Sequence, residues 1–197
     1  MPGIMGYNNR QVVNLVLLAL CLFMICGCAT IKIETFDPDV YPTKIPVRIG
    51  AYIPSAFRNY VQFMKGGDRV EIGDGLSRGA ERVFREVFKE VVVIEGVGAD
   101  LRAEEIDAVI SPEMVETDLM RGTVPGSEVA VTCKWTVVNP KGRTYYMNTI
   151  TGVGTDSSLL FIARTTKSST RAVEDHYRKL IQHMLFTKWW KNVGKND

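Results

Sequence analysis

Val129-Ala130-Val131-Thr132-Cys133-Lys134-Trp135-Thr136-Val137 leads into Asn139-Pro140-Lys141-Gly142, and Arg143 through Val153 follows, rich in Thr, Tyr and Ile. Val129, Val131, Cys133, Trp135 and Val137 share one side of a two-residue period; Ala130, Thr132, Lys134 and Thr136 share the other. Such alternation marks a strand with one face buried. The Asn-Pro-Lys-Gly segment turns the chain, so a long antiparallel hairpin is expected. Its apolar face must be covered by other elements.

Two segments have the period to do so. Leu76, Ala80, Val83, Phe84, Val87, Phe88 and Val91 recur at three- and four-residue steps, with Arg78, Glu81, Arg82, Arg85, Glu86 and Lys89 opposite. Asp74 is placed to cap that helix. From Thr170 onward, Ala172, Val173, Tyr177, Leu180, Ile181, Met184 and Leu185 form a second stripe. Val47, Ile49, Ala51 and Ile53 alternate as a strand, and Val91–Ile94 follows the first helix almost without a loop. Strand, helix and strand suggest a parallel βαβ unit. Tyr60–Met64 and Arg69–Ile72 flank Lys65-Gly66-Gly67-Asp68 as a further hairpin. Asp107–Thr117 reads as a strand that Pro112 favours at an edge. Leu159-Leu160-Phe161-Ile162 is either a short strand or an exposed apolar loop. The expected fold is α+β: a two-layer sandwich in which two amphipathic helices cover one face of a mixed, mostly antiparallel sheet.

The N-terminus has a different composition. Met1 to Arg10 is polar with one basic side chain, and Val12 to Ile25 is almost wholly apolar. That run of roughly fourteen residues suits the h-region of a secretory signal and falls short of the ~20 a spanning helix needs. It ends at Ile25-Cys26-Gly27-Cys28, which resembles the lipobox of bacterial lipoproteins: an aliphatic residue, two small ones, then the cysteine to be acylated. Cys26 stands where Ser or Ala is commoner. The resemblance implies cleavage before Cys28 and lipidation of its thiol. Ala29 follows where an aspartate would favour inner-membrane retention, so the resemblance implies the outer membrane of a diderm cell. Residues 1–27 are thus expected to be a removed signal, 28–46 a tether broken by Pro38, Pro42 and Pro46, with a short strand at Thr30–Glu34 as an alternative within it, and 47–197 the periplasmic domain. About 170 residues then remain, enough for one sizeable core.

Composition and motifs narrow the chemistry. The formal net charge is +2, which supplies no electrostatic case for nucleic-acid binding. Cys26-Gly27-Cys28 is too closely spaced for the usual metal or dithiol motifs. Among the four cysteines, Cys133 would be the one thiol kept after cleavage, and it faces the expected core. His176 and His183 lie about 10 Å apart along one helix side, too far to share a zinc ion; they are expected at the surface or boundary. Gly96-Val97-Gly98 has too little chain after it for a dinucleotide-binding helix. Gly73-Asp74-Gly75 opens a helix, but its aspartate opposes an anion. Glu113, Glu116 and Asp118 cannot share one strand face, which weakens a calcium site. No cofactor or metal and no catalytic constellation is expected. Lys188-Trp189-Trp190-Lys191 extends the last helix and suits a membrane interface or a partner surface, unless its tryptophans pack on the core.

The lipidated Cys28, the strand Pro46–Ile53, the Gly-Asp-Gly-Leu opening of the first helix and the strand Asp107–Val115 form an overall layout. With the hairpin 129–153 and the closing helix, it resembles the small envelope lipoproteins of the lipopolysaccharide-assembly, YajG-like and transporter-auxiliary types. The resemblance implies a non-enzymatic accessory or binding subunit, held to the membrane by its lipid, with its envelope partner unnamed. A second possibility is a lipid or glycolipid carrier whose groove is lined by Trp135, Phe84, Phe88 and Tyr177. A third is an envelope hydrolase that would need acidic or Ser groups beside His176 or His183.

Overall fold

A computed structural model of the chain describes residues 29–37, 43–64, 67–96, 105–121 and 124–194. Cys28, the signal segment, Pro38, Pro42 and Gly98 lie outside them.

The hairpin predicted at 129–153 is the centre of the fold. Strands β7 (Glu128–Val138) and β8 (Thr144–Thr155) pair antiparallel along their length, with Cys133 opposite Ile150. Together with β2 (Ile45–Tyr52), β5 (Phe88–Ile94) and β6 (Ala108–Arg121) they form a five-stranded sheet of order β5-β2-β6-β7-β8. A short helix α1 (Ser55–Arg58) follows β2. A smaller sheet, order β1-β4-β3, joins β1 (Thr30–Lys32), β4 (Arg69–Glu71) and β3 (Gln62–Phe63). Helices α2 (Ile72–Val87) and α3 (Phe161–Thr187) pack onto the large sheet. The architecture is the α+β sandwich with mixed strand directions expected from the sequence. β2 and β5 pair parallel across α2, as the βαβ pattern predicts.

Four expectations are corrected. β6 lies inside the sheet, yet its pairing with β2 ends at Ala51↔Ile110. Pro112 stands just beyond, so its missing N–H breaks no bond to β2. Helix α2 starts at Ile72, so Asp74 sits in the first turn instead of capping it. There it lies 2.9 Å from Arg78 in an i,i+4 pair. Gly73 and Gly75 serve packing: a Cβ on Gly73 would lie 2.0 Å from the Phe57 carbonyl, and one on Gly75 2.6 Å from Ile33.

The third correction concerns α3, which begins nine residues before Thr170. Its first half buries Thr165, Ser168, Ser169 and Ala172 and so carries little apolar periodicity. These small side chains let the helix backbone approach β8. A Cβ on Gly152 would lie 2.1 Å from the Ala172 carbonyl, and one on Gly154 2.0 Å from that of Ser168. Fourth, the segment expected as a tether is docked where it is described, and the strand allowed at Thr30–Glu34 forms over Thr30–Lys32. Ile31 and Ile33 are buried in the core, and Thr30 to Lys32 pairs parallel with Arg69 to Glu71.

The core is contiguous. Trp135 meets Phe84 at 5.5 Å and Tyr177 at 5.9 Å between ring centroids, both edge-on, and Phe84 meets Phe88 at 5.8 Å. Edge-to-face packing of this kind adds to the area these rings bury.

Candidate functional site

The start of the domain is fastened by a series of polar contacts. The Ala29 amide donates to Asp68 Oδ1 at 2.8 Å, and the Arg69 amide donates to the Ala29 carbonyl at 3.0 Å. Arg69 Nε donates to Thr30 Oγ1 at 2.8 Å. Further on, Arg78 donates to the Ile33 carbonyl, Arg82 donates to that of Phe36, and the Glu34 amide donates to Thr170 Oγ1 at 3.1 Å. Asp68 and Arg69 follow Gly67, whose amide donates to the Met64 carbonyl at 3.2 Å in a turn. The sequence shows that turn but not what its polar residues hold, because their partner lies 39 residues away. Cys28 itself is outside the described residues, but its neighbour is held at two backbone atoms.

A second set of contacts fixes the tip of α3. Arg164 donates to the carbonyls of Pro125 and Ser158, each at 3.1 Å. Its guanidinium lies 6.0 Å from the Phe161 ring centroid. The Asp156 amide donates to the Ser127 carbonyl, and Asp156 pairs with Arg171 at 3.1 Å. Hydrogen bonds from the hydroxyl and amide of Ser158 lead the effects that hold the Asp156 carboxyl below its ordinary range, aided by Lys167 and Arg171. This network holds the loop that presents Leu159 and Leu160 to solvent. The tetrapeptide Leu159–Ile162 is therefore an exposed loop running into the first helical turn, not a strand.

The other end of α3 corrects the contact surface expected there. The helix stops at Thr187, Lys188 takes a left-handed conformation (φ 50°), and Trp189–Asn192 form a separate 3₁₀ turn. This reversal carries Trp189 inward to 3% exposure, where it stacks on Tyr145 at 6.3 Å and approaches Phe88. Trp190 is half-buried against it, and Lys188 and Lys191 are exposed. Trp189 is thus core, as a large ring placed over Phe88 and Tyr145 must be.

The two histidines are separated by environment. His176 was expected at the surface or boundary but is fully buried, and its Nε2 accepts the Trp135 indole N–H at 2.8 Å. Burial lowers its pKa to about 4, against smaller opposing effects from the Val131 and Ile150 backbone and from Asp175. The ring is therefore neutral at pH 7. A full turn of charge pattern does not reveal this, because the neighbours Asp175 and Lys179 look outward together at 2.7 Å. His183 lies half-buried beside Tyr146. Cys133 is buried with Sγ 3.9 Å from Met114 Sδ, and burial pushes its thiol up, as expected for a core cysteine.

The groove expected for a carrier is filled. Trp135, Phe84, Phe88 and Tyr177 are all within 1% of complete burial and pack on each other, while the Tyr177 hydroxyl donates to the Leu76 carbonyl. An open depression lined by Arg58, Asn59, Tyr60, Val61, Glu71 and Asp74 is polar and mixed in charge. Among the described residues, no three His, Cys, Asp or Glu side chains lie together as an ion site, and no helix is long and apolar enough to cross a membrane.

No family model and no curated protein matches the chain. Several solved structures align with it. A Xanthomonas campestris protein of the DUF330 family aligns with TM-score 0.60 and 13% identity, over 84% of this chain and 99% of that one. A minor lipoprotein from Acinetobacter baumannii aligns at 0.41 with 10% identity, over 72% and 94%. PelC from Paraburkholderia phytofirmans, a dodecamer, aligns at 0.36 with 14% identity, over 72% and 94%. The first of these shows that the sandwich is an established fold.

Proposed function

We propose that this chain is an envelope lipoprotein, acylated at Cys28, whose domain faces the periplasm from the outer membrane and acts as a non-enzymatic accessory or binding subunit. The observation that carries it is the apolar run Val12–Ile25 ending at Ile25-Cys26-Gly27-Cys28. The first described strand, Thr30–Lys32, lies downstream of the proposed cleavage point and is kept in the mature chain. Acyl chains contribute about 0.8 kcal/mol per buried CH₂, so two or more hold a protein at a membrane durably. The carrier reading has no cavity behind it, because its four aromatic side chains fill one another's space.

Replacing Cys28 tests the reading directly. Cys28→Ser should abolish palmitate incorporation and release the domain from the membrane fraction, while Cys26→Ala should leave both unchanged. Continued labelling and membrane recovery of Cys28→Ser would refute it.

A further inference from the structure

The position of the exposed apolar side chains relative to Ala29 has a consequence for how the domain meets a membrane. Two contacts fix the sense in which the first segment runs beside α3: the Glu34 amide meets Thr170, and the Phe36 ring stacks on Tyr177 at 6.1 Å. Residues 30–36 and α3 therefore run in the same direction. Retracing the extended segment from Glu34 to Thr30 covers about 13 Å. Retracing the helix from Thr170 to Phe161 covers about 14 Å. The tip of α3 is thus level with Thr30.

The small sheet ends at the same level. Thr30 is paired with Arg69, and Arg69 with Phe63. At this end Leu159 is 97% exposed, Leu160 75%, Ile162 52% and Phe63 68%. These are four of the large apolar side chains the fold fails to bury, gathered at one end. They lie level with the point where the chain leaves for Cys28. A fully extended chain spans at most about 7 Å from Cys28 to Thr30. The bonds at Ala29 and Thr30 already hold the start of that span against the fold.

We propose that Leu159, Leu160, Ile162 and Phe63 form an apolar rim that seats in the bilayer interface, so that the lipoprotein lies flush on its membrane instead of standing off on a tether. The occupant is the phospholipid surface. This rests on the acylation of Cys28 proposed above: the anchor leaves no more than two residues of slack, and the surface brought nearest the headgroups is the apolar one. Arg69, beside Phe63, places a cation at headgroup depth, where a snorkelling arginine is stable. Phe186, exposed at the opposite end of α3 about 39 Å from Leu160, is held away from the lipid.

The test uses the full acylated protein on vesicles of phosphatidylethanolamine and phosphatidylglycerol, with lipids brominated near the carbonyl end of the acyl chain. Leu160→Trp and Phe186→Trp introduce reporters at the two ends, with Phe63→Trp as a second rim position. Each variant is first matched to the wild type in thermal unfolding. The reporters at 160 and 63 should lose most of their added emission to the brominated lipid, and the one at 186 none. Palmitate-labelled protein that floats with the vesicles but shows no quenching at 160 and 63 overturns the seating and leaves the anchor standing. Shielding of the 160 reporter from acrylamide by raised protein concentration, without lipid quenching, assigns the rim to a second copy and likewise overturns it. A wild-type chain that takes up no palmitate overturns the anchor and the seating together.

Discussion

The two ends of α3 contrast in what they do with large apolar side chains. At the start of the helix, Thr165, Ser168, Ser169 and Ala172 are buried, with Thr165 against Gly126 and with Ser168 and Ala172 against Gly154 and Gly152 of β8, while Leu159, Leu160 and Ile162 project outward. At its end, Tyr177, Leu180, Ile181 and Met184 are buried, and the chain turns back so that Trp189 joins them. The same helix therefore uses backbone proximity at one end and aromatic volume at the other. Close approach needs small residues on both partners, which leaves no room there for leucine. Apolar content and burial are uncoupled at the start of α3, and that is where function is to be sought.

The largest effect should come from filling the close contact. Gly154→Val would place methyl groups where a bare Cβ already lies 2.0 Å from the Ser168 carbonyl and 2.3 Å from the Ala172 amide. Both obstacles are backbone, so no rotamer change relieves them. Overpacking ordinarily costs about 1–3 kcal/mol and more where nothing can move. Loss of cooperative thermal unfolding is the expected outcome. A variant that melts like the wild type would show that α3 does not pack this closely on β8.

Next in size is the aromatic end. Trp189→Ala removes a buried ring that meets Tyr145, Phe88 and Trp190, and such truncations cost about 3–5 kcal/mol. The urea midpoint should fall accordingly. An unchanged midpoint with impaired function would return Trp189 to the surface role its sequence context suggests.

These two cases also explain what could be read in advance. The hairpin 129–153 was legible because one residue in two is apolar and the turn chemistry is explicit. Helix α2 was legible from Leu76 to Val87, where its stripe recurs, but Phe88 and Val91, read into the same stripe, belong to β5. The start of α3 was not, since Thr165 and Ser168 are buried through their glycine partners' lack of a side chain, and hydropathy carries no record of that. Trp189 beside two lysines reads as an interfacial motif. Only the left-handed Lys188 turns it inward, and a non-glycine residue there has no sequence marker. The docking of Ile31 and Ile33 was hidden by the prolines that follow. His176 was misplaced because a helix pattern counts it as polar, although its Trp135 partner makes burial affordable only in the assembled core.

The smallest predicted effect lies midway along α3 and concerns pH. His176 has an ordinary pKa of 6.5, lowered to about 4 in the fold by burial. Between those values the unfolded chain binds a proton that the folded chain does not. Stability must then rise with pH across that window and fall as the solution is acidified from about 6.5 to 4. The span corresponds to roughly 3 kcal/mol at most, and below about 4 the loss levels off for this group. Asp175 acts in a separate range. Burial raises its pKa, but Lys179, the Val153 amide and Arg178 together bring it below the ordinary 3.8. Its contribution is therefore present above that value and lost only as pH falls further. Urea unfolding at intervals from pH 7.5 to 4.5 isolates the histidine, and His176→Phe should show a lower midpoint with the slope against pH flattened. The lower midpoint follows from the Trp135 N–H, which loses its acceptor in a site closed to water. A wild-type midpoint that does not move between pH 6.5 and 4.5 would mean that His176 takes up a proton in the folded state. The join between the two halves of α3 would then be open to water, and the contrast between its ends would not rest on a continuous core.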